Sequence, residues 1–337
     1  MDGTPAATAK ADDAHKRRWR LSRLLWAAVA AFAVALALFL LVRVLRRYSL
    51  ADIEASIAAI PPWRVAAAVL CAAASYTMLS LFDALAVRYV GRRLPYRRIA
   101  LASFTALSIG HNIGFSAVSS GTLRYRFYSA WGLGAGDVAR IVLFCGATVA
   151  IGLGALASAA LVAAPPLLQD ALGGAPPGRL RLFGAAGFVL IGFYVLLAAL
   201  LRRRPLHIGR WWIAMPPLRL ALGQVAVGGA NFLLVAGVLH QTLAGAAPDV
   251  GYFSVAAAYA AASVAAFVAH VPGGWGVLEA VVILLLPPDE DPVGALVVFR
   301  VVYFLVPFCL GITSLALSEL IGRRRWKRGA ATGNRRE

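Results

Sequence analysis

The residues able to do chemistry in this chain gather in two places. The first is the run from Ser108 to Arg126, which sets His111, Asn112, Gly114, Ser120, Gly121, Arg124, Tyr125 and Arg126 into otherwise apolar sequence, with Tyr128 and Arg140 just beyond. The second runs from His270 through Pro272, Gly273, Gly274 and Gly276 to Glu279, with Arg300 further along. Guanidinium groups take phosphodiesters in a fork geometry, and tyrosines at headgroup depth add an amphipathic ring. Arg124, Arg126 and Arg140 therefore fit a lipid-phosphate clamp, or else an ordinary basic loop in which Asp137 pairs Arg140. A carboxylate such as Glu279 inside an apolar span costs about 2.5 to 3.5 kcal/mol unless paired. Arg300 is the cation deep enough to pair it, as a gate, as a site for a substrate ammonium or as a purely structural ion pair. His111 and His270 stand at the approaches to the two glycine-rich breaks, where a proton relay or a bond to carbonyls freed by an interrupted helix would each suit an imidazole. Asp83 is expected to pair with Arg88. Asn231 and Gln224 read as interhelical hydrogen-bonding residues.

The elements that must position these groups are membrane helices. Of 337 residues, 61% are hydrophobic and 14% charged, and the mean hydropathy is +0.76, which places the chain outside the soluble class. Apolar runs at 24–45, 63–87, 138–164, 182–201, 218–243, 251–271 and 293–320 are each long enough to cross a hydrocarbon core of about 30 Å. No alternating pattern of a barrel is present. The fold expected is all-α and polytopic, with about eight transmembrane helices, a re-entrant hairpin, a broken helix and a trace of inverted repetition. Residues 1–23 read as a disordered basic tail, 24–320 as the membrane domain and 321–337 as a second basic tail. A short amphipathic helix is expected after Ser49, ended by Pro61 and Pro62.

The net charge of +18 does not point to nucleic acid. Most Lys and Arg fall in the N-terminal tail, in the loop with Arg88, Arg92, Arg93, Arg97 and Arg98, in the loop with Arg202, Arg203 and Arg204, and in the C-terminal tail. That is the positive-inside pattern, and it places both termini in the cytoplasm. If 99–118 crossed fully, Arg202 to Arg204 would fall outside. A hairpin turning near 110–114 keeps them inside. The run 277–286 is too short to cross and is expected to complete a broken crossing with the glycine-rich break before it. Polar, interrupted helices at membrane depth occur where they line a cavity or are buried in protein, and paired breaks in two halves of a chain are how inverted-repeat transporters build a midplane site. Cys71, Cys145 and Cys309 lie in apolar spans without metal or disulfide spacing. No zinc-protease, nucleophile-elbow or phosphate-loop motif is found, so neither an enzyme nor a cofactor is expected.

The segments Gly110-His111-Asn112-Ile113-Gly114-Phe115-Ser116 and Gly121-Thr122-Leu123-Arg124-Tyr125-Arg126-Phe127-Tyr128, together with Pro272-Gly273-Gly274-Trp275-Gly276-Val277-Leu278-Glu279, resemble the hallmarks of the membrane domain of lysylphosphatidylglycerol synthase/flippases, the multiple peptide resistance factors, and of their single-domain relatives. The resemblance implies a bacterial inner-membrane lipid flippase for an anionic or aminoacylated phospholipid or a related amphiphile such as a hopanoid. The aminoacyl-transferase domain of the full-length family is not matched here, so no synthase activity is implied. The alternative is a non-transporting subunit that anchors or regulates a separate lipid-modifying enzyme. The partners that follow are membrane lipids, a second copy of the chain, or such an enzyme.

Overall fold

The computed structural model describes residues 54, 58, 60–113, 116–169, 173–201, 205–208, 211–245, 249–269, 272–285 and 292–333. The expected tail at 1–23, the span at 24–45, nearly all of the amphipathic helix after Ser49, Gly114 and His270 lie outside these residues. The described chain is all-α apart from one small antiparallel ribbon, in which Pro205–Ile208 pairs with Trp211–Ala214.

The helices are α1 (Pro62–Tyr89), α2 (Tyr96–Ile113), α3 (Ser116–Ser129), α4 (Ala135–Ala163), the short α5 (Pro165–Gln169), α6 (Pro177–Leu201), α7 (Leu218–Leu243), α8 (Tyr252–Ala269), α9 (Val277–Leu285), α10 (Val293–Arg300) and α11 (Val306–Gly333). A 3₁₀ turn at Pro272–Gly274 joins α8 to α9, and a π turn at Val301–Leu305 runs α10 into α11. Among the described residues, six helical stretches are long and apolar enough to cross a membrane: α1, α4, α6, α7, α8 and Val293–Leu320. The expected C-terminal tail begins inside α11, whose backbone stays helical to Gly333.

Local sequence sets the boundaries. Pro62 opens α1, where its missing N–H would have had no partner in any case. Gly91 closes α1 in a Schellman pattern, with Arg92 N–H donating to Val87 O at 3.0 Å and Gly91 N–H to Arg88 O at 3.1 Å. Gly132 repeats the pattern at the end of α3, with Leu133 N–H on Tyr128 O at 3.0 Å and Gly132 N–H on Ser129 O at 3.1 Å.

The hairpin expected around 99–118 is present but longer. Helices α2 and α3 pack on each other along their length, so the return leg takes in Arg124 and Arg126, which stand on a helix rather than in a loop. Close approach is set by Gly110, where an added Cβ would lie 2.8 Å from Ser120 Cβ. The second break is a correction. Helix α9 does not continue a crossing begun by α8. The two pack against each other, so the chain reverses at Pro272–Gly274 and forms a second hairpin.

Helices α1, α7 and the α10–α11 segment are tied together at the centre of the bundle. Ser75 Oγ donates to Asn231 Oδ1 at 2.7 Å and lies 3.0 Å from Tyr303 Oη, while Tyr76 Oη donates to Tyr303 O at 3.2 Å. Helix α4 crosses α7 at Gly152, where a Cβ would sit 2.5 Å from the Gly228 backbone. Gln224 bonds Thr148 Oγ1 at 2.9 Å and Phe144 O at 3.3 Å and accepts from Tyr194 Oη. Both amides thus join helices, as expected of them. Helix α6 is the least enclosed, and its Leu182, Phe183, Val189 and Leu190 are exposed on the face that lipid would wet.

Candidate functional site

Each hairpin is fixed to a crossing helix by an ion pair, buried in the first and partly buried in the second, and the two pairs have opposite polarity. In the first, the cation stands on the hairpin. Arg124 of α3 donates from Nε to Asp83 Oδ1 and from Nη2 to Oδ2, both at 2.8 Å, and from Nη1 to Ser120 Oγ at 3.0 Å. The Asp83 carboxylate also accepts from Ser103 Oγ and from Tyr128 Oη, each at 2.8 Å. Asp83, Ser103 and Tyr128 are fully buried, and Arg124 and Ser120 nearly so. Four donors on two carboxylate oxygens satisfy a charge that would otherwise be costly in this environment.

This geometry corrects two expectations. Asp83 pairs with Arg124, not with Arg88, because its position on α1 faces the return leg of the hairpin rather than the end of its own helix. The Arg124 guanidinium, enclosed and bidentate on Asp83, is a structural lock and has no open edge for a lipid phosphate. Arg126, two residues on, faces the other way and pairs with Glu319 of α11. Tyr125 is exposed. Gly121 lies against Val142 of α4.

In the second hairpin the anion stands on the hairpin and the cation on the crossing helix. Arg300 at the end of α10 donates from Nε to Glu279 Oε1 at 2.6 Å, from Nη1 to Gly273 O at 2.7 Å and from Nη2 to Gly274 O at 3.0 Å. Gly273, Gly274 and Gly276 have φ of 60°, 62° and 83°. This left-handed backbone, which residues with a Cβ rarely adopt, turns the two carbonyls onto the guanidinium. Glu279 Oε2 accepts from Gly276 N–H at 2.8 Å, so one carboxylate both caps the start of α9 and holds Arg300. The Arg300 guanidinium lies over the rings of Trp275 and Phe304, 4.7 Å and 4.8 Å from their centroids. The expected Glu279–Arg300 pair is therefore present. What sequence reasoning missed is the pair of cation–ring contacts to Arg300, although Trp275 stands within the quoted motif.

The tips of the hairpins meet. A Cβ on Gly273 would lie 3.2 Å from His111 O, and Asn112, buried, donates from Nδ2 to Ser108 O at 2.9 Å and to Phe304 O at 3.5 Å. Phe304 and Tyr303 lie in the π turn, whose widened spacing leaves carbonyls open to side-chain donors. His111 is partly buried at this junction. The junction therefore gathers His111, Asn112, the Pro272–Gly274 turn, Gly276, Glu279 and Arg300, whereas Arg124, Tyr128 and Ser120 form the lock behind it. Arg140 joins neither group and pairs with Asp137 at 3.0 Å. Among the described residues no cluster of His, Cys, Asp or Glu could hold a metal ion.

No protein-family model matches the chain. It is similar to an uncharacterized protein of Synechocystis sp., slr0712, at 29% identity over 316 residues, covering 92% of this chain and 96% of that protein. It is also 29% identical over 250 residues to the Escherichia coli inner membrane protein YbhN, covering 73% of this chain and 77% of that protein. With six membrane-length helices among the described residues and an inner membrane protein among its relatives, the chain is a multi-pass integral membrane protein.

Proposed function

We propose that this protein is a lipid translocase of the bacterial inner membrane, moving an anionic or aminoacylated phospholipid or a related amphiphile between leaflets without modifying it. The observation that carries the reading is the pair of hairpins whose tips meet inside the bundle. With α1, α4, α6, α7 and α10–α11 as crossings, the base of the α2–α3 hairpin faces one side of the membrane and that of the α8–α9 hairpin the other. The positive-inside rule supports a cytoplasmic first base and cytoplasmic termini. Helices broken at membrane depth, with polar groups at the break, are how a path for a polar headgroup is lined in a hydrocarbon solvent.

The two hairpins differ in how tightly they are held. The Asp83–Arg124 lock is enclosed, with side-chain exposures of 0% and 3%, whereas the Glu279 side chain is 22% exposed and its hairpin turns on three left-handed glycines. The second hairpin is thus the mobile gate and the first its fixed counterpart, with Glu279 and Arg300 the contact that opens.

The test is a leaflet-accessibility assay in liposomes holding the purified protein and a fluorescent phospholipid. Translocation above protein-free vesicles, lost in Glu279→Gln while its melting point stays near wild type, supports the reading. Wild-type protein that moves no phospholipid, or that does so only with a co-purifying lipid-modifying enzyme, refutes it in favour of a membrane subunit.

A further inference from the structure

The base of the first hairpin carries a second arrangement that the translocation path does not use. The loop before α2 and the first turn of α4, which follows α3, are the two ends of that hairpin, and they are joined at Asp137. Arg92 donates from Nε to Asp137 Oδ2 at 3.1 Å, with its Nη2 at 3.0 Å from the same oxygen. Arg140 donates from Nη2 to Oδ1 at 3.0 Å and from Nε to Gly136 O at 3.3 Å. The carboxylate is 11% exposed, and the two arginine side chains are 52% and 54% exposed. One nearly buried anion therefore orients two exposed guanidiniums, each bound along one edge, with the Nη1 corners outside the clamp. Beside them Arg98 lies over the ring of Trp131, 5.8 Å from its centroid, a second contact between the hairpin's entrance and its exit. Arg93 and Arg97 are also exposed.

We propose that Arg92 and Arg140, oriented by Asp137, form a binding site for the phosphate of an anionic phospholipid at the membrane surface, separate from the translocation path. Two forks held on one carboxylate present donors to a single tetrahedral anion in fixed geometry, and the base of a re-entrant hairpin lies at headgroup depth. A lipid phosphate bound there ties the entrance and exit of the hairpin together a third time. The site does not depend on whether the protein transports lipid.

A built site and a diffuse basic patch respond oppositely to loss of Asp137. Asp137→Asn raises the net positive charge, so a patch that attracts anions through its field alone binds more tightly, whereas a site that needs its arginines oriented binds more weakly. The full chain in neutral detergent is titrated with phosphatidylglycerol, with phosphatidylcholine and with inorganic phosphate, and read by the melting midpoint and by lipid retained in native mass spectrometry. Wild type is expected to retain phosphatidylglycerol over phosphatidylcholine. Asp137→Asn and Arg92→Lys, which keeps the charge and loses the fork, are each expected to weaken retention roughly tenfold. Arg93→Ala is expected to leave it unchanged. Because Arg92 is exposed, Arg92→Lys reads the site even if Asp137→Asn lowers the midpoint without lipid. Equal or tighter binding by Asp137→Asn, or unchanged binding by Arg92→Lys, overturns the proposal. A midpoint shift with inorganic phosphate equal to that with phosphatidylglycerol overturns the assignment to a lipid.

Discussion

Replacing Asp83 by Leu and Arg124 by Met, singly and together, gives an unequal cycle whose order follows from the donor count. The Asp83→Leu variant leaves a buried guanidinium whose remaining contact in the cluster is Ser120 Oγ, and an uncompensated buried charge costs about 3 to 5 kcal/mol. Arg124→Met leaves a carboxylate that still accepts from Ser103 and Tyr128, so its cost lies at the lower end, about 3 kcal/mol. The double variant removes both charges and fills the space with apolar side chains. It is expected to cost less than either single change, because removal of a whole buried pair is often close to neutral. The coupling between the two positions is then at least about 3 kcal/mol, at the upper end for residues in contact. The assay is reversible unfolding by SDS in mixed micelles, followed by tryptophan fluorescence. Additive costs in the double variant, or a larger cost for Arg124→Met than for Asp83→Leu, would refute the claim that this pair holds the first hairpin in place.

Two further outcomes can be checked in the same assay. At the α4–α7 crossing, Gly152→Ala drives a Cβ into the Gly228 backbone, which cannot move aside as a flexible side chain would; the expected loss is about 1 to 3 kcal/mol, while Gly154→Ala, which meets nothing within 4 Å, is expected to be neutral or slightly stabilising. In the second hairpin, the Trp275 Nε1–H finds no acceptor among the described residues, so Trp275→Phe keeps a ring over Arg300 and should change stability by less than about 0.5 kcal/mol, whereas Trp275→Ala loses the stack and about 1 to 2 kcal/mol. Equal effects of Phe and Ala would show that the ring over Arg300 contributes nothing.

Much of this fold is legible in composition and charge. A run of about 20 apolar residues has few structures available in hydrocarbon, where every backbone polar group must be satisfied within the segment, and so 63–87, 138–164, 182–201 and 218–243 fall close to the helices observed. The distribution of arginines forbids a full crossing at 99–118, and a hairpin is there. Glu279 and Arg300 could be matched because each is the one deep charge of its sign in its region. Charge bookkeeping runs out where two topologies satisfy it equally. A broken crossing and a second hairpin differ only in whether α9 continues from α8 or folds back on it, and no charge lies between 270 and 278 to distinguish them.

The partners of the remaining polar groups were decided by tertiary structure. Asp83 has Arg88 five residues away and Arg124 forty-one residues away, and sequence proximity favours the nearer one. The observed choice depends on which face of α1 meets the return leg of the hairpin, a matter of helix packing set by contacts such as Gly110 on Ser120. Arg124 and Arg126 look alike in sequence and differ completely in place: two positions apart on a helix, about 200° of rotation, one turns into the bundle towards Asp83 and the other towards Glu319 on α11. Sequence alone determined that this chain lives in a membrane, that its polar residues gather at two breaks, and that the breaks belong together. Only the folded bundle decided which charge answers which, because desolvation makes a buried charge select whatever partner the packing brings within hydrogen-bonding distance, regardless of its separation along the chain.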